Sequence, residues 1–284
     1  MKPAPFDYVR ATSVDEAVAA LTASDGEAKL LAGGQSLVPM LNFRLVDAPV
    51  FVDINGIDGL AGIEETDDGG LRVGALTRHH TLETSGVVRD RFPVVHEAMK
   101  HVAHLAIRNR GTIGGSLSHS DPAAELPAMT VLLEARIEAV GPNGTRQIPA
   151  DEFFIAPLTT VLEPDEIVTA VYLPGLPTRS GWGFEEFARR RGDYAIAGAA
   201  AVVTRKGEQA TWARIALFGV DDTPVWAKNA EKIMISEGID AAAKQAAADV
   251  EPMSDLHGSS DYRRHLAEVM VRRALTAAME RAGA

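Results

Sequence analysis

The chain has 284 residues, 46% of them hydrophobic, and a formal net charge of −11. Length and apolar fraction suffice for one large domain or two medium ones, and the acidic balance argues against nucleic acid or an anionic membrane surface as a partner. No cysteine is present, which excludes disulfides, cysteine-bound zinc, iron–sulfur ligation within the chain and a thiol nucleophile.

Met1-Lys2-Pro3-Ala4-Pro5-Phe6-Asp7 lacks the apolar core of a signal peptide, and no apolar run reaches the ~18 residues of a membrane span. A cytoplasmic protein without a membrane span is expected. Ser13-Val14-Asp15-Glu16 reads as a capping box, followed by Val14, Ala17, Val18 and Leu21 at helical spacing. Lys29–Ala32 reads as a short strand entering a glycine segment, Ala32-Gly33-Gly34-Gln35-Ser36. A helix over Ser36–Leu45 and a strand over Val50–Ile54 complete a small β-α-β unit.

Leu71–Leu76 reads as a strand, and Thr81–Arg89 and Pro93–His104 as helices. A second glycine segment follows, Gly111-Thr112-Ile113-Gly114-Gly115-Ser116, taken as a loop. Asp121 is expected to N-cap a helix that has Pro122 at its first position and runs to about Leu133. Ala135–Val140 is a strand, Pro142-Asn143-Gly144 a hairpin turn, and Ile167–Leu173 another strand. Pro174, Pro177 and Gly181 mark a linker. Strand-like runs at Gly183–Arg190, Ala197–Thr204 and Trp212–Val220 then precede helices at Ile239–Val250 and Tyr262–Ala282, the pattern of a separate α+β domain.

The chemistry is sought in the glycine segments. Glycine lets backbone amides approach an anion closely, so Gly33 to Ser36 can cradle a phosphate, with Ser36 adding a hydroxyl. At the second segment Gly114 and Gly115 permit close approach, Thr112 and Ser116 supply hydroxyls, and Asp121 can accept from ribose or ribityl hydroxyls. Each feature also has a plain structural reading, as a tight turn or a helix cap. Two such segments together suit a ligand with two phosphates, such as a dinucleotide. Arg189-Arg190-Arg191-Gly192-Asp193-Tyr194 places an aromatic beside a glycine turn, able to stack on a planar heterocycle, with arginines to offset negative charge. His101 and His104 have helical spacing, but no HExxH or carboxylate-rich set completes a metal site. No nucleophile–base motif is evident, so a bound cofactor is expected to carry any chemistry.

At these residues the chain resembles a known family. Ala32-Gly33-Gly34-Gln35-Ser36-Leu37-Val38-Pro39 and Thr112-Ile113-Gly114-Gly115, with Ser120-Asp121-Pro122-Ala123-Ala124-Glu125-Leu126-Pro127, are similar to the FAD-binding medium subunit of molybdenum hydroxylases. The nearest type is the medium subunit of aerobic carbon monoxide dehydrogenase; the flavin segment of xanthine dehydrogenase is more distant. Phe6-Asp7-Tyr8, Val52-Asp53-Ile54-Asn55 and Gly74-Ala75-Leu76-Thr77 also fit, so the resemblance covers the whole chain. It implies an α+β fold: a two-subdomain FAD-binding domain of the vanillyl-alcohol-oxidase (PCMH) type over 1–176, with subdomains of about 1–57 and 58–176, then a C-terminal domain over 177–284 with a three-stranded antiparallel sheet and helices.

The resemblance further implies that Ala32, Gly33, Gly34, Gln35 and Ser36 hold the pyrophosphate of a non-covalent FAD together with Gly111, Thr112, Ile113, Gly114 and Gly115. Asp121 would contact the polyol chain, and Asp193 and Tyr194 would lie against the isoalloxazine. It implies no catalytic residue and no metal in this chain. A large subunit would carry the molybdenum cofactor and a small subunit two [2Fe–2S] clusters, the three doubled to a dimer of heterotrimers. The flavin would collect electrons for an external acceptor: a quinone, NAD or oxygen. A self-sufficient FAD-dependent oxidase or dehydrogenase of the same superfamily is the alternative, and a nucleotide-binding regulatory module a third reading.

Overall fold

The computed structural model describes residues 2–283. Three sheets organise them. The first is small and parallel: Val50–Asp53 lies between Asp7–Arg10 and Lys29–Leu31. The second has five antiparallel strands in the order Ile63–Glu65, Leu71–Gly74, Ile167–Leu173, Arg136–Gly141, Gly144–Pro149. The third has three long antiparallel strands, Gly181–Ala188, Ala195–Lys206 and Gln209–Phe218, extended by the two-residue strand Val225–Trp226. A two-stranded ribbon, Phe154–Ala156 with Thr159–Thr160, lies apart.

The first helix, Val14–Thr22, forms where the capping pattern places it. Ser13 Oγ accepts from the Glu16 amide at 3.1 Å, and the Glu16 carboxylate reaches back to the amide and hydroxyl of Thr12 at 2.8 and 2.7 Å. Ala17, Val18 and Leu21 bury its inner face against Val52 and Ile54. The strand Asp7–Arg10 was not foreseen: all four of its residues are exposed, so it lacks the buried alternation that marks a strand in sequence.

The third sheet explains its own composition. Ala195–Val203 is buried throughout, and successive residues point to opposite sides. Ala197, Ala199, Ala201 and Val203 enter the core under the helices Lys228–Ser236, Ile239–Ala248 and Ser260–Arg281. Ala200 and Val202, with Phe184, Ala216 and Phe218, join the core of the five-stranded sheet. The sheet is thus sandwiched between two apolar bodies, and small residues let both come close. A Cβ on Gly183 would collide with the Ala274 carbonyl, and one on Gly181 with the backbone at Ala278 and Ala282. The Arg214 guanidinium, 4.3 Å from the Trp226 ring centre, pairs with Glu134 of the body on one side of this sheet and with Glu231 of the helix Lys228–Ser236.

Three expected elements are shorter or broken. The helix expected over Ser36–Leu45 is Leu37–Asn42. That over Thr81–Arg89 divides at Ser85 into His79–Thr84 and Gly86–Arg91, because Ser85 is extended and caps the second piece through Val88. That over Pro93–His104 ends at Met99, and a separate turn, Leu105–Arg108, follows. The helix Lys228–Ser236 was not expected at all. No helix of the described residues is long and apolar enough to cross a membrane.

Candidate functional site

The first glycine segment leaves the strand Lys29–Leu31 and turns into the helix Leu37–Asn42. Gly34 has φ +71°, a conformation a side chain would strain. The amides of Gly33, Gly34, Gln35, Ser36 and Leu37 donate to no acceptor among the described residues. Such a run of free donors fits a polyanion such as a pyrophosphate. Gln35 turns its side chain inward, donating Nε2 to the Gly33 carbonyl at 3.1 Å.

The second segment is helical rather than a loop. Gly114 and Gly115 lie within Ile113–His119, and Thr112 is its N-cap. Its amides are already engaged: Ile113 donates to the Thr77 carbonyl, Gly114 to that of Ala75, Gly115 to Thr112 Oγ1 and Ser116 to the Thr112 carbonyl. Gly114 lies so close to the adjoining strand that a Cβ would stand 2.6 Å from Ala75 Cβ. The two segments touch: a Cβ on Gly33 would collide with the Arg110 carbonyl oxygen and reach the Gly111 Cα.

Asp121 does not N-cap a helix. The Ile113–His119 helix closes at Ser120 in left-handed conformation (φ 52°, ψ 45°), and the next begins at Glu125 with Ala124 ahead of it. Asp121 Oδ1 accepts from the Ala123 amide at 2.9 Å, a local turn that competes with the helix. Asp121, Asp193 and Tyr194 share the wall of one cleft of about 630 Å³, with Pro157, Arg189, Asp255 and Arg263 among its other lining residues. The glycine segments lie outside that lining. Gly192, at φ +83°, packs its backbone on Ala103 and His104 and so aims Tyr194, which stays 64% exposed. Arg189 meets His257 Nδ1 at 3.1 Å; Arg190 and Arg191 are exposed.

Residues given no role from sequence join these parts. Asn55 Nδ2 donates to the Ala32 carbonyl at 2.8 Å and to Asp53 Oδ1 at 2.7 Å, and its Oδ1 accepts from Arg78 Nη2 at 2.7 Å. Arg78 Nη1 donates to the Arg110 carbonyl at 2.5 Å. Arg78 and Asn55 therefore brace one glycine segment against the other. The available signal was Asn55, a polar residue directly after a buried strand, where Asn55-Gly56 reads as a turn.

His79 lies beneath the second segment. Its Nε2 meets Ser116 Oγ at 3.0 Å, and a Cβ on Gly111 would come within 2.7 Å of its Nδ1. Burial pushes its pKa down from 6.5 to about 4. The folded state refuses a proton that the unfolded chain accepts, so His79 contributes fully above about pH 6.5 and the contribution is lost as pH falls toward about 4. The stability advantage of the native chain over His79→Gln should shrink by about 3 kcal/mol across that interval, read from urea unfolding at a series of pH values. A constant difference would refute the neutral buried imidazole.

Residues 4–176 match the family described as the FAD binding domain in molybdopterin dehydrogenase, and residues 182–278 the CO dehydrogenase flavoprotein C-terminal domain. The 6-hydroxypseudooxynicotine dehydrogenase complex subunit alpha of Paenarthrobacter nicotinovorans is 44% identical over 99% of this chain and 97% of that subunit. The carbon monoxide dehydrogenase medium chain of Hydrogenophaga pseudoflava is 39% identical over 99% of both chains. The structure of carbon monoxide dehydrogenase from that organism, in a form lacking the Mo-pyranopterin moiety, superposes with TM-score 0.97 over the full length of both chains at 40% identity. With its free-amide segment, its two family-matched domains and these full-length relatives, the chain belongs to the FAD-binding medium subunits of the molybdenum hydroxylases, an oxidoreductase family.

Proposed function

We propose that this chain is the electron-transfer subunit of a heterotrimeric molybdenum hydroxylase, passing electrons from a [2Fe–2S] subunit through FAD to an external acceptor. The observation that carries the reading is the run of free amides from Gly33 to Leu37, braced against Gly111. When bound, FAD supplies the redox chemistry. In this reading residues 32–36 hold its pyrophosphate. Across the contact, residues 111–115 contribute shape and the Thr112 side chain, since the amides of Ile113, Gly114 and Gly115 are engaged. Asp121 keeps Oδ2 for a polyol hydroxyl, and Asp193 and Tyr194 flank the ring.

A large molybdenum-cofactor subunit and a small iron–sulfur subunit are the partners, in a cytoplasmic dimer of heterotrimers. The absence of cysteine supports this division, because the chain cannot ligate iron–sulfur clusters. A boundary at 176/177 accompanies the reading, and the limits of the two family matches support it.

The test is the visible spectrum of the purified chain with and without added FAD, followed by acid release. Oxidised-flavin bands, discharged by acid and identified as FAD, are the expected result. Folded protein that takes up no FAD, alone or co-expressed with its partner subunits, would overturn the reading.

A further inference from the structure

The hydrogen bonds that brace the two glycine segments begin at Asp53. This residue closes the strand Val50–Asp53, the middle strand of the parallel sheet, with Arg10 and Leu31 beside it in register. Its two carboxylate oxygens are engaged separately. Oδ1 accepts from the Asn55 backbone N–H at 2.8 Å and from Asn55 Nδ2 at 2.7 Å. Oδ2 accepts from the Tyr8 hydroxyl at 2.5 Å, and Tyr8 stands on the exposed edge strand Asp7–Arg10. These three donors are all neutral groups.

The bond from Oδ1 to the Asn55 backbone would by itself make an ordinary turn after a strand. The bond to the side chain does more, because it decides which way the Asn55 amide faces. Asn55 Nδ2 meets acceptors: Asp53 Oδ1, the Ala32 carbonyl at 2.8 Å and the Leu31 carbonyl at 3.3 Å. Asn55 Oδ1 meets a donor, Arg78 Nη2 at 2.7 Å. Turned over, the amide would set its oxygen against two carbonyls and a carboxylate, and its NH2 against a guanidinium. Arg78 would then lose the acceptor that aims its other nitrogen at the Arg110 carbonyl. Both ends of this chain of bonds are backbone at the glycine segments. Ala32 directly precedes the free amides that begin at Gly33, and the Arg110 carbonyl is the oxygen that a Cβ on Gly33 would strike.

We propose that Asp53 is a positioning residue for cofactor binding: by fixing the direction of the Asn55 amide it sets Ala32 and, through Arg78, Arg110, and so aligns the free amides of Gly33 to Leu37 with the second segment. It acts through Asn55. What it supplies is an acceptor in a fixed place, and the Tyr8 hydroxyl on Oδ2 keeps the carboxylate from turning. The inference rests on the FAD reading above.

The experiment titrates FAD into the purified chain, stripped of cofactor, in native, Asp53→Ala, Asp53→Asn and Asn55→Asp forms, below the melting temperature of each. ADP, which carries the pyrophosphate without the flavin, is measured by its displacement of FAD. Asp53→Ala should bind both ligands about fivefold to a hundredfold more weakly, by the same factor for each, because the donors of Asn55 are left unanswered. Asp53→Asn keeps an oxygen where Oδ1 stands and should recover most of that loss. Asn55→Asp sets an oxygen against the Ala32 carbonyl and should bind both ligands as weakly as Asp53→Ala. A residue that only stabilises the fold would change the melting temperature and leave the affinity of the folded protein as it was. Native affinity in Asp53→Ala overturns the proposal and leaves the FAD reading intact. Asp53→Asn as weak as Asp53→Ala overturns it in favour of a role for the charge. A loss for FAD with none for ADP overturns it by moving the effect away from the glycine segments. Should Asp53→Ala fail to fold, native affinity in Asn55→Asp overturns it. A native chain that takes up no FAD, alone or co-expressed with its partner subunits, overturns both readings.

Discussion

Gly33→Ala should lower FAD affinity by about fivefold to a hundredfold, although the added methyl touches no ligand position. Its Cβ would collide with the Arg110 carbonyl oxygen, and the neighbouring atoms it meets are all backbone. Neither side can yield cheaply. Arg110 O is held by Arg78, Arg78 by Asn55, and Asn55 by the Ala32 carbonyl directly before Gly33. Overpacking of this kind costs about 1–3 kcal/mol, and here the relief is to push the two glycine segments apart. Every 1.4 kcal/mol of lost binding is about tenfold in Kd. FAD titration followed by flavin fluorescence measures the effect. Gly86→Ala is the control: its Cβ would meet only the far end of Arg89 at 3.7 Å. Equal affinity in Gly33→Ala and the native chain would mean that the contact between segments has no bearing on the cofactor.

The largest loss of stability is expected from Gly183→Val. The strand Gly181–Ala188 meets the helix Ser260–Arg281 backbone to backbone, and the nearest atoms to a Cβ at Gly183 are the carbonyl and Cα of Ala274. A valine must lift the helix, opening gaps along Ala267, Val271 and Ala278, all fully buried. At least about 3 kcal/mol should be lost, a fall in Tm of roughly 10 °C. A melt within about 2 °C of the native chain would show that the helix can retreat at little cost.

Much of the fold was legible because its signals are local. The capping residues around Ser13, the apolar period of Val14 to Leu21 and the hairpin at Pro142-Asn143 rest on neighbours in sequence, and all appear. The failures lie where distant partners decide. The Gly114-Gly115 pair looks like a loop because glycine weakens a helix, but a side chain at Gly114 would strike Ala75, and packing overrides propensity. Asp121-Pro122 has the composition of a helix start, yet Ser120 turns left-handed and its carbonyl accepts from the Leu158 amide, which delays the helix to Glu125. Arg78 carries no motif and Asn55 had no role assigned; their importance comes from the backbone carbonyls they reach.

The sandwiching of the third sheet bears on how such a protein can be divided. A sheet with a core on each face belongs to both, so severing the chain at its linker would leave one half without a floor and the other without a roof. Phe184 and Phe218 would be stripped of the body they fill, and the helices beyond would lie over a sheet wet on its reverse side. Two matched families thus share one cooperative unit. A ligand held at the first glycine segment should protect both from unfolding, by about 2.7 kcal/mol at a hundredfold excess over Kd. Recombination in nature and in the laboratory should therefore move this flavoprotein whole.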